Sequence, residues 1–315
     1  MKRNILSLCL LTVVSTAAAQ QQLKYSNFDS WLTRDVKESP IIGGKTQTLY
    51  EIAPSAKWNG KKAYVNQGGS PWATSNVMAK VAGIVKTNSS VYRDDHAEGH
   101  CAKLVTHTVG IKVLGVININ VLAAGSVYLG EMVEPITSSS NPMSKLNYGI
   151  PFTEKPKAVQ FDYKVQLSGK SDRIRQTGFS AVKTVAGADM PMFVCLLQKR
   201  WEDENGNIYA RRLGTVVHRF GKNTDWVNGA TFEIHYGDIS QESFYKPYMH
   251  LFNGADDQKY AKNSKGKMVP VKEMEWGTAD ETPTHLCLQF ASSFGGAYIG
   301  ADGTTFWVDN VKLIY

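Results

Sequence analysis

Acidic side chains near turns and strand ends are the first candidates for chemistry in this chain. Residues 202–204 (Glu-Asp-Glu) form the densest acidic group and run into Asn205-Gly206, which predicts an exposed hairpin tip. Exposed carboxylates keep ordinary pKa values, whereas a general acid needs burial or a nearby like charge. Glu233 and His235 are better placed, because both lie on the polar face of one predicted strand.

Glu233 and His235 could act on sugar hydroxyls if their strand lines a concave surface. Glycoside hydrolysis uses two carboxylates about 5–5.5 Å apart for retention, or about 6.5–9.5 Å apart for inversion. The alternative is that both residues are scattered solvent-facing polars with no role. The catalytic residues therefore stay unknown, with Glu233 and His235 as candidates.

Tryptophans in turn-rich segments are the second set of candidates, since sugar rings stack their apolar C–H faces on flat side chains. Trp72 lies within residues 68–76 (GGSPWATSN), which show no strand pattern, and Asn76 could supply a directed amide. Trp58 precedes an Asn-Gly turn and is a further candidate. The alternative is that Trp72 folds back to cap the domain, since tryptophan is usually largely buried. We predict ligand binding at Trp72, Asn76 and Trp58.

The elements that must position these residues are β-strands. Apolar and polar residues alternate over 159–167 and over 231–236, which predicts antiparallel strands with one dry face and one wet face. Asn-Gly and Asp-Gly turn signals separate such runs, and sustained helical periodicity is hard to find. The sequence therefore predicts an all-β antiparallel sandwich. We expect one domain over residues 20–315, with a subdivision near 134–149 left open.

The last strand of the chain contains an irregularity. Phe306 and Val308 share one face, whereas Val311 and Leu313 share the other, so the apolar phase changes at Asp309-Asn310. A change of phase within a strand predicts a β-bulge or a strand that changes sheets. Either would turn the Asp309 carboxylate away from the core.

The N-terminal residues predict the cellular location of the protein, and the charge pattern limits the partners it could bind. Residues 1–19 have a basic start, a short apolar run and Ala17-Ala18-Ala19, which predicts a cleaved signal peptide. The protein is then secreted across the inner membrane and is periplasmic, cell-surface or extracellular. The basic residues behind the formal charge of +7 are scattered, so we expect no nucleic-acid partner. No other apolar run is long enough to insert into a membrane, and the oligomeric state is open.

Several motifs that would define an enzyme or a metal site are missing from the sequence. There is no Cys-x-x-Cys, no Gly-x-Ser-x-Gly and no EF-hand spacing. Cys195 and Cys287 lie in apolar runs, and with Cys101 they are expected to be buried free thiols. No organic cofactor is expected.

Three motifs in order resemble a known family. They are A-A-G-S-x-Y-x-G at 123–130, G-I-P-F-T-x-K-P at 149–156, and S-S-F-G-G-A-x-I-G-A-D-G-T at 292–304. Together they resemble the putative carbohydrate metabolism domain, over most of the chain after residue 19. The resemblance implies a secreted protein of glycan-degrading Gram-negative bacteria, a jelly-roll fold like that of carbohydrate-binding modules, and an oligo- or polysaccharide partner. It supplies no catalytic residues.

The two ends of the chain also resemble the ends of a jelly-roll carbohydrate-binding module. In such modules the first and last strands lie close together, and acidic residues from both often hold a structural calcium. The resemblance therefore implies a calcium site at Asp29, in N-F-D-S-W, and Asp309, in V-D-N-V. The alternative is that Asp309 only starts a turn or bulge and that Asp29 lies in solvent.

Three functions fit these features. The first is a non-catalytic glycan-binding sandwich that holds sugar by aromatic stacking and polar side chains. The second is a glycoside hydrolase or polysaccharide lyase on the same fold, because one sandwich can host either function. The third is a structural or adhesive surface protein, which would show a large exposed apolar patch.

Overall fold

The computed structural model describes residues 19–81, 83–113, 117–138, 141–178, 181–254 and 257–315. The predicted signal peptide, apart from Ala19, lies outside the described residues. No helix among the described residues is long and apolar enough to cross a membrane.

Strands make up nearly all of the regular structure. The first are β1 (Gln20–Gln21), β2 (Trp31–Lys37), β3 (Thr46–Ile52), β4 (Lys57–Trp58), β5 (Trp72–Thr74), β6 (Val77–Val81), β7 (Ile84–Asn88), β8 (Val91–His96) and β9 (Gly99–Val105). They are followed by β10 (His107–Val113), β11 (Ile117–Ala123), β12 (Ser126–Met132), β13 (Leu146–Tyr148), β14 (Ile150–Pro151), β15 (Ala158–Gln166), β16 (Arg173–Arg175), β17 (Thr177–Gly178) and β18 (Lys183–Val185). The last are β19 (Met192–Glu202), β20 (Ile208–Arg219), β21 (Thr224–Glu233), β22 (His235–Tyr236), β23 (Lys259–Lys262), β24 (Met268–Trp276), β25 (His285–Ala291), β26 (Ile299–Gly300) and β27 (Thr305–Ile314). Short 3₁₀ helices span Pro40–Ile42, Pro142–Lys145 and Pro247–Met249.

Two large sheets pack face to face around a central core. The six-stranded sheet has the order β21-β15-β27-β9-β8, with β1 added to β27. The ten-stranded sheet has the order β14-β25-β19-β20-β24-β23-β13-β12-β5, with β22 added to β20. Phe161 and Phe306 from the first sheet and Phe193 and Phe290 from the second belong to the same buried cluster. The all-β antiparallel sandwich predicted from the sequence is therefore confirmed.

The ten-stranded sheet curls back on itself. β12 pairs with β25 as well as with β13, so the pairing order β25-β19-β20-β24-β23-β13-β12 returns to β25. One face of this sheet packs on the central core, and the other, which we call the inner face, turns toward the inside of the curl.

Alternate residues along one strand show that both faces of this sheet are buried. On β19, Phe193, Cys195 and Leu197 pack in the central core. Val194 and Leu196 pack in a second cluster on the inner face. Both faces exclude water, so β19 reads in sequence as a continuous apolar run instead of an alternating one.

The smaller sheets cover this framework. β3, β2 and β4 form one, β6 and β7 form a hairpin, β10, β11 and β17 form another, and β18, β16 and β26 form the last.

The bulge predicted in the last strand is confirmed. Opposite β15, the register of β27 shifts between the pairs Gln160–Lys312 and Asp162–Asp309, and Asn310 has a φ of 53°. The extra residue restores the phase, so Phe306, Val308, Val311 and Leu313 all pack in the central core. β1 pairs with the end of β27, which brings the two ends of the described chain together.

A buried ion pair on the inner face ties a distant loop to the sheet. Arg212 on β20 donates to both carboxylate oxygens of Glu273 on β24, and both residues are almost fully buried. Arg212 Nη1 also donates to the carbonyls of Met249 and His250, at 2.8 Å each. Glu273 accepts the backbone N–H of Phe252 at 2.6 Å. The loop over residues 247–252 is therefore held by one cation and one carboxylate.

We predict that Arg212→Met destabilises the protein by about 3–5 kcal/mol, because the substitution leaves Glu273 buried without its cation. Urea unfolding measures the change. The matched control is Arg211→Met, because the adjacent Arg211 pairs with Glu275 on the surface, where side chains are 44% and 53% exposed. That control should lose far less stability, because solvent screens an exposed ion pair. Equal losses for the two variants would contradict the role given to Arg212.

Candidate functional site

The tryptophan singled out as a binding platform is buried. Trp72 lies on β5, is 1% exposed, and contacts Phe28 edge-on with ring centroids 5.2 Å apart. Its indole Nε1 donates to the carbonyl of Lys24 at 3.1 Å. The prediction that Trp72 is an exposed sugar platform is therefore wrong, because the short strand β5 carries it into the central core.

Asn76 also has a structural position. It is 1% exposed, its amide nitrogen donates to the carbonyls of Tyr50 and Val91, and its amide oxygen accepts the N–H groups of Ser90 and Val91. All of the hydrogen-bonding capacity of its side chain is used within the protein, so the predicted ligand contact is wrong.

Trp58 is half-buried on β4 and contacts the ring of Tyr64 edge-on.

The catalytic candidates Glu233 and His235 belong to different sheets, since β21 is part of the six-stranded sheet and β22 of the ten-stranded sheet. Glu233 is exposed at the end of β21, whereas His235 is half-buried on β22 and stacks on Phe244 with centroids 4.0 Å apart. They occupy different strands, contrary to the prediction of one polar face. Residues 202–204 lie at the β19–β20 hairpin tip, as predicted.

Asp29 and Asp309 line the same pocket, of about 410 Å³, at the joined ends of the chain. The Asp29 carboxylate accepts the backbone N–H of His100 at 2.9 Å and the amide of Asn27 at 2.6 Å. The Asp309 residue is only 3% exposed, and its carboxylate contacts His96 Nδ1 at 2.7 Å. The two predicted ligands therefore share a pocket, with a histidine beside one of them.

The donor atoms that lie closest together form a different set. Ligand atoms of His96, Asp162 and Asp309 all lie within 4.8 Å of one another. Trp226 stacks on the His96 ring with centroids 3.6 Å apart. Carboxylates suit calcium, but an imidazole with two carboxylates suits zinc better, so the donor set fits calcium only in part. No sequence pattern marked His96 and Asp162 as ligands, because His96 at the end of β8 and Asp162 on β15 meet Asp309 only in the folded protein.

A cavity of about 950 Å³ opens at one end of the curled sheet. Its floor is a row of paired residues, since Met192 pairs with Arg219 on one side and with Ala291 on the other, and Ala291 pairs with Ser126. All four line the cavity. Because they are strand-end residues on four adjacent strands, the cavity is built on rigid backbone. The β6–β7 hairpin and β11 supply apolar residues to the facing wall.

Aromatic and polar side chains also contribute to the lining. The rings come from Tyr248, Phe252, Phe294 and Tyr298, and the polar groups from Arg173, Arg219, His250, Asp257, Lys259 and Gln289. A mostly apolar cavity of this size with a few directed polar groups is typical of small-molecule and oligosaccharide sites.

Two of the sequence motifs build this lining. Ala123, Ala124 and Ser126 come from the first motif, and residues 293–298 come from the closing loop of the third. The two motifs are bonded together, because Gly125 N–H donates to Ser292 Oγ at 3.0 Å and Ser292 N–H donates to the Gly125 carbonyl at 2.8 Å. A Cβ at Gly125 would lie 2.3 Å from the Ser90 carbonyl oxygen, so only glycine fits there.

A buried carboxylate fixes the closing loop. Asp189 is 2% exposed and accepts hydrogen bonds from Ser293 Oγ at 2.7 Å and from the Ala301 N–H at 2.8 Å. Burial raises the pKa of Asp189, although these hydrogen bonds lower it. Phe294 N–H donates to the Met190 carbonyl, which places the Phe294 ring against the cavity.

The sequence analysis singled out the closing loop but assigned it no ligand contact. Phe294 was therefore quoted only as part of a motif. Tyr248 and Arg219 were missed because no periodicity marks a 3₁₀ turn or a strand end as part of a cavity.

The fold and the cavity define a class: an antiparallel β-sandwich protein with a cavity at one end of one sheet. The family model of the putative carbohydrate metabolism domain matches residues 28–215, and the chain belongs to this family. The matched residues include the first two motifs and end before the closing loop. The domain is thus carbohydrate-related.

Comparison with solved structures gives a more distant match. A crystal structure titled as a putative glycoside hydrolase from Bacteroides thetaiotaomicron VPI-5482 is similar at 18% sequence identity and a TM-score of 0.45. The match covers 86% of this chain and 81% of the other. No curated protein matches the chain.

The Asp309 carboxyl predicts how the free energy of unfolding depends on pH in protein stripped of divalent cations. Burial raises its pKa to about 6, although the His96 and Asn310 hydrogen bonds lower it and Asp162 adds repulsion. In the unfolded chain the pKa of this carboxyl is about 3.9. Between these values the folded state alone keeps the proton, so this group makes the free energy of unfolding fall as the pH rises from about 4 to about 6.

Urea unfolding at several pH values tests this against Asp309→Asn, which cannot titrate. The stability of the wild type relative to the variant should decrease across the window. A difference that is constant or increases with pH would show that Asp309 does not hold a proton there.

Proposed function

We propose that this protein is a non-catalytic glycan-binding protein whose ligand lies in the 950 Å³ cavity. The observation that carries the proposal is the pairing of half-buried rings, Tyr248 and Phe294, with directed polar groups on one rigid rim. Flat rings take the apolar faces of sugars, and the amide of Gln289 and the ammonium of Lys259 can bond hydroxyl groups. Membership of a carbohydrate metabolism family supports a sugar as the ligand.

The carboxylate content of the cavity favours binding over hydrolysis. Among the described residues that line it, Asp257 is the only carboxylate, and it lies 3.4 Å from His250 Nε2. Hydrolysis by either stereochemical route uses two carboxylates. The described lining therefore supplies one of the two carboxylates that glycoside hydrolysis usually needs.

Asp257 also supports the second candidate, a glycoside hydrolase. Burial raises the pKa of Asp257, in spite of the nearby His250, and a raised pKa suits a general acid. Release of reducing ends from a bound glycan, abolished in Asp257→Asn, would favour the hydrolase. Binding without release favours the proposed function.

The proposal includes a location outside the inner membrane, in the periplasm or at the cell surface, because residues 1–19 have the pattern of a signal peptide. N-terminal sequencing of the protein from its native host tests this. A mature chain that starts near residue 20 is expected, and an intact Met1 would contradict it.

We predict that Phe294→Ala and Tyr248→Ala each weaken glycan binding by about tenfold or more, because each removes an aromatic side chain from the cavity wall. Glycan-array hits followed by calorimetry measure the change. The control is Trp201→Ala, since Trp201 is 43% exposed on the β19–β20 hairpin and does not line the cavity. Binding that is lost in Trp201→Ala and kept in Phe294→Ala would place the sugar site on the hairpin instead.

The proposal also includes a structural cation, expected to be calcium, in the pocket of Asp29 and Asp309. Added calcium should raise the melting temperature of chelated protein, by an amount equivalent to about 2.7 kcal/mol at one hundred times the dissociation constant. Asp309→Asn should remove the effect, whereas the exposed Asp225→Asn should keep it. A response to zinc alone would assign the pocket to His96, Asp162 and Asp309 and exclude calcium.

A further inference from the structure

Arg219 is a half-buried cation that forms no ion pair with the described residues. Its side chain lies at the end of β20 on the cavity rim, and its Nε is buried with no hydrogen-bond partner. Among the residues that the structure describes, no carboxylate forms an ion pair with it. A desolvated cation that lacks a counter-charge is costly, so its position calls for an explanation.

Two aromatic rings hold the guanidinium in place. Its central carbon lies 3.8 Å from the ring centroid of Phe294 and 4.1 Å from that of Tyr248. Stacking on rings orients the guanidinium plane and leaves its edge N–H groups for a ligand. Arg219 covers one face of each ring, so a sugar bound in the cavity against these rings would lie beside Arg219.

A second arginine increases the positive charge at this position. The Arg173 guanidinium carbon lies 4.3 Å from the Phe294 centroid, and its side chain is fixed by the carbonyls of Ala186 and Gly187. Burial lowers the pKa of Arg219, and the charge of Arg173 lowers it further. The two cations therefore repel each other until an anion lies between or beside them.

The other charges of the cavity do not neutralise this pair. Lys86 is bonded to Glu38, and Asp257 lies against His250. Lys259 bonds the neutral amide of Gln289 at 3.3 Å, and burial lowers its pKa. The cavity therefore presents a net positive surface that combines stacking rings with bidentate donors.

We propose that the ligand is an acidic glycan whose carboxylate or sulfate group binds Arg219, with Arg173 adding charge at the same position. Arginine forms paired N–H···O bonds with either anion, so the two sources share one chemistry. This inference rests on the proposed function and adds the class of sugar to it.

The test compares polymers that carry only one kind of charge. Polygalacturonate carries carboxylates, carrageenan carries sulfates, and starch and galactan carry neither. Wild-type protein should bind at least one of the charged polymers more tightly than both neutral ones, and the polymer that binds identifies the anion. Monomeric galacturonate and galactose, compared in the same assay, separate recognition of one acidic sugar from general attraction to a polyanion.

Arg219→Gln should weaken binding of the acidic ligand by about tenfold to a hundredfold, because charge-assisted hydrogen bonds are lost. Arg219→Lys keeps the charge without the paired donors and should lose part of this affinity, and thermal melting confirms that both variants fold. The matched control is Arg93→Gln, which removes the same charge from an exposed position on β8 outside the cavity.

The possible outcomes separate this inference from the proposed function. Binding of neutral glycans alone, unchanged in Arg219→Gln, would overturn the acidic class and leave glycan binding standing. Equal losses in Arg219→Gln and Arg93→Gln would show general charge attraction and would also overturn it. Failure to bind any glycan would overturn the proposed function itself.

Discussion

The structure depends on one constraint: the ten-stranded sheet is buried on both faces along its central strands. Its central strands supply Phe193 and Leu288 to the core shared with the six-stranded sheet, and Val194 and Cys287 to the inner face. A charged group on the inner face is cut off from solvent, so it is stable there only with partners inside the protein. The Arg212–Glu273 pair does this and also holds the loop over 247–252.

The cavity follows from how the sheet closes. β12 and β25 pair at one end, where Ser126 meets Ala291, and the rim of strand ends there is covered by the 293–298 loop and the loop over 247–252. The rings and the arginines lie on these loops and strand ends, and Asp189 and Arg212 hold the loops by buried charges. The buried charges that hold the loops therefore also fix the side chains that line the cavity.

Sequence patterns predicted the features of this fold that depend only on residues close together in the chain. The alternation over 159–167 became β15, the Asn205-Gly206 turn became the β19–β20 hairpin, and the change of phase at Asp309 became a bulge. The closure of the sheet could not be predicted, because it depends on pairings between distant residues such as Asn147 and Tyr260. Trp72 was misplaced for the same reason, since its burial comes from Phe28 and β12 and not from its own segment. His96 and Asp309 meet only across the folded sheet, and no spacing in the sequence reports their contact.

Hydrogen–deuterium exchange with and without a bound glycan tests most directly whether the cavity is the ligand site. The account predicts slower exchange over 247–252 and over 293–298, with little change at the β19–β20 hairpin tip. Protection confined to the hairpin beside Trp201, or to the pocket of Asp29 and Asp309, would contradict it.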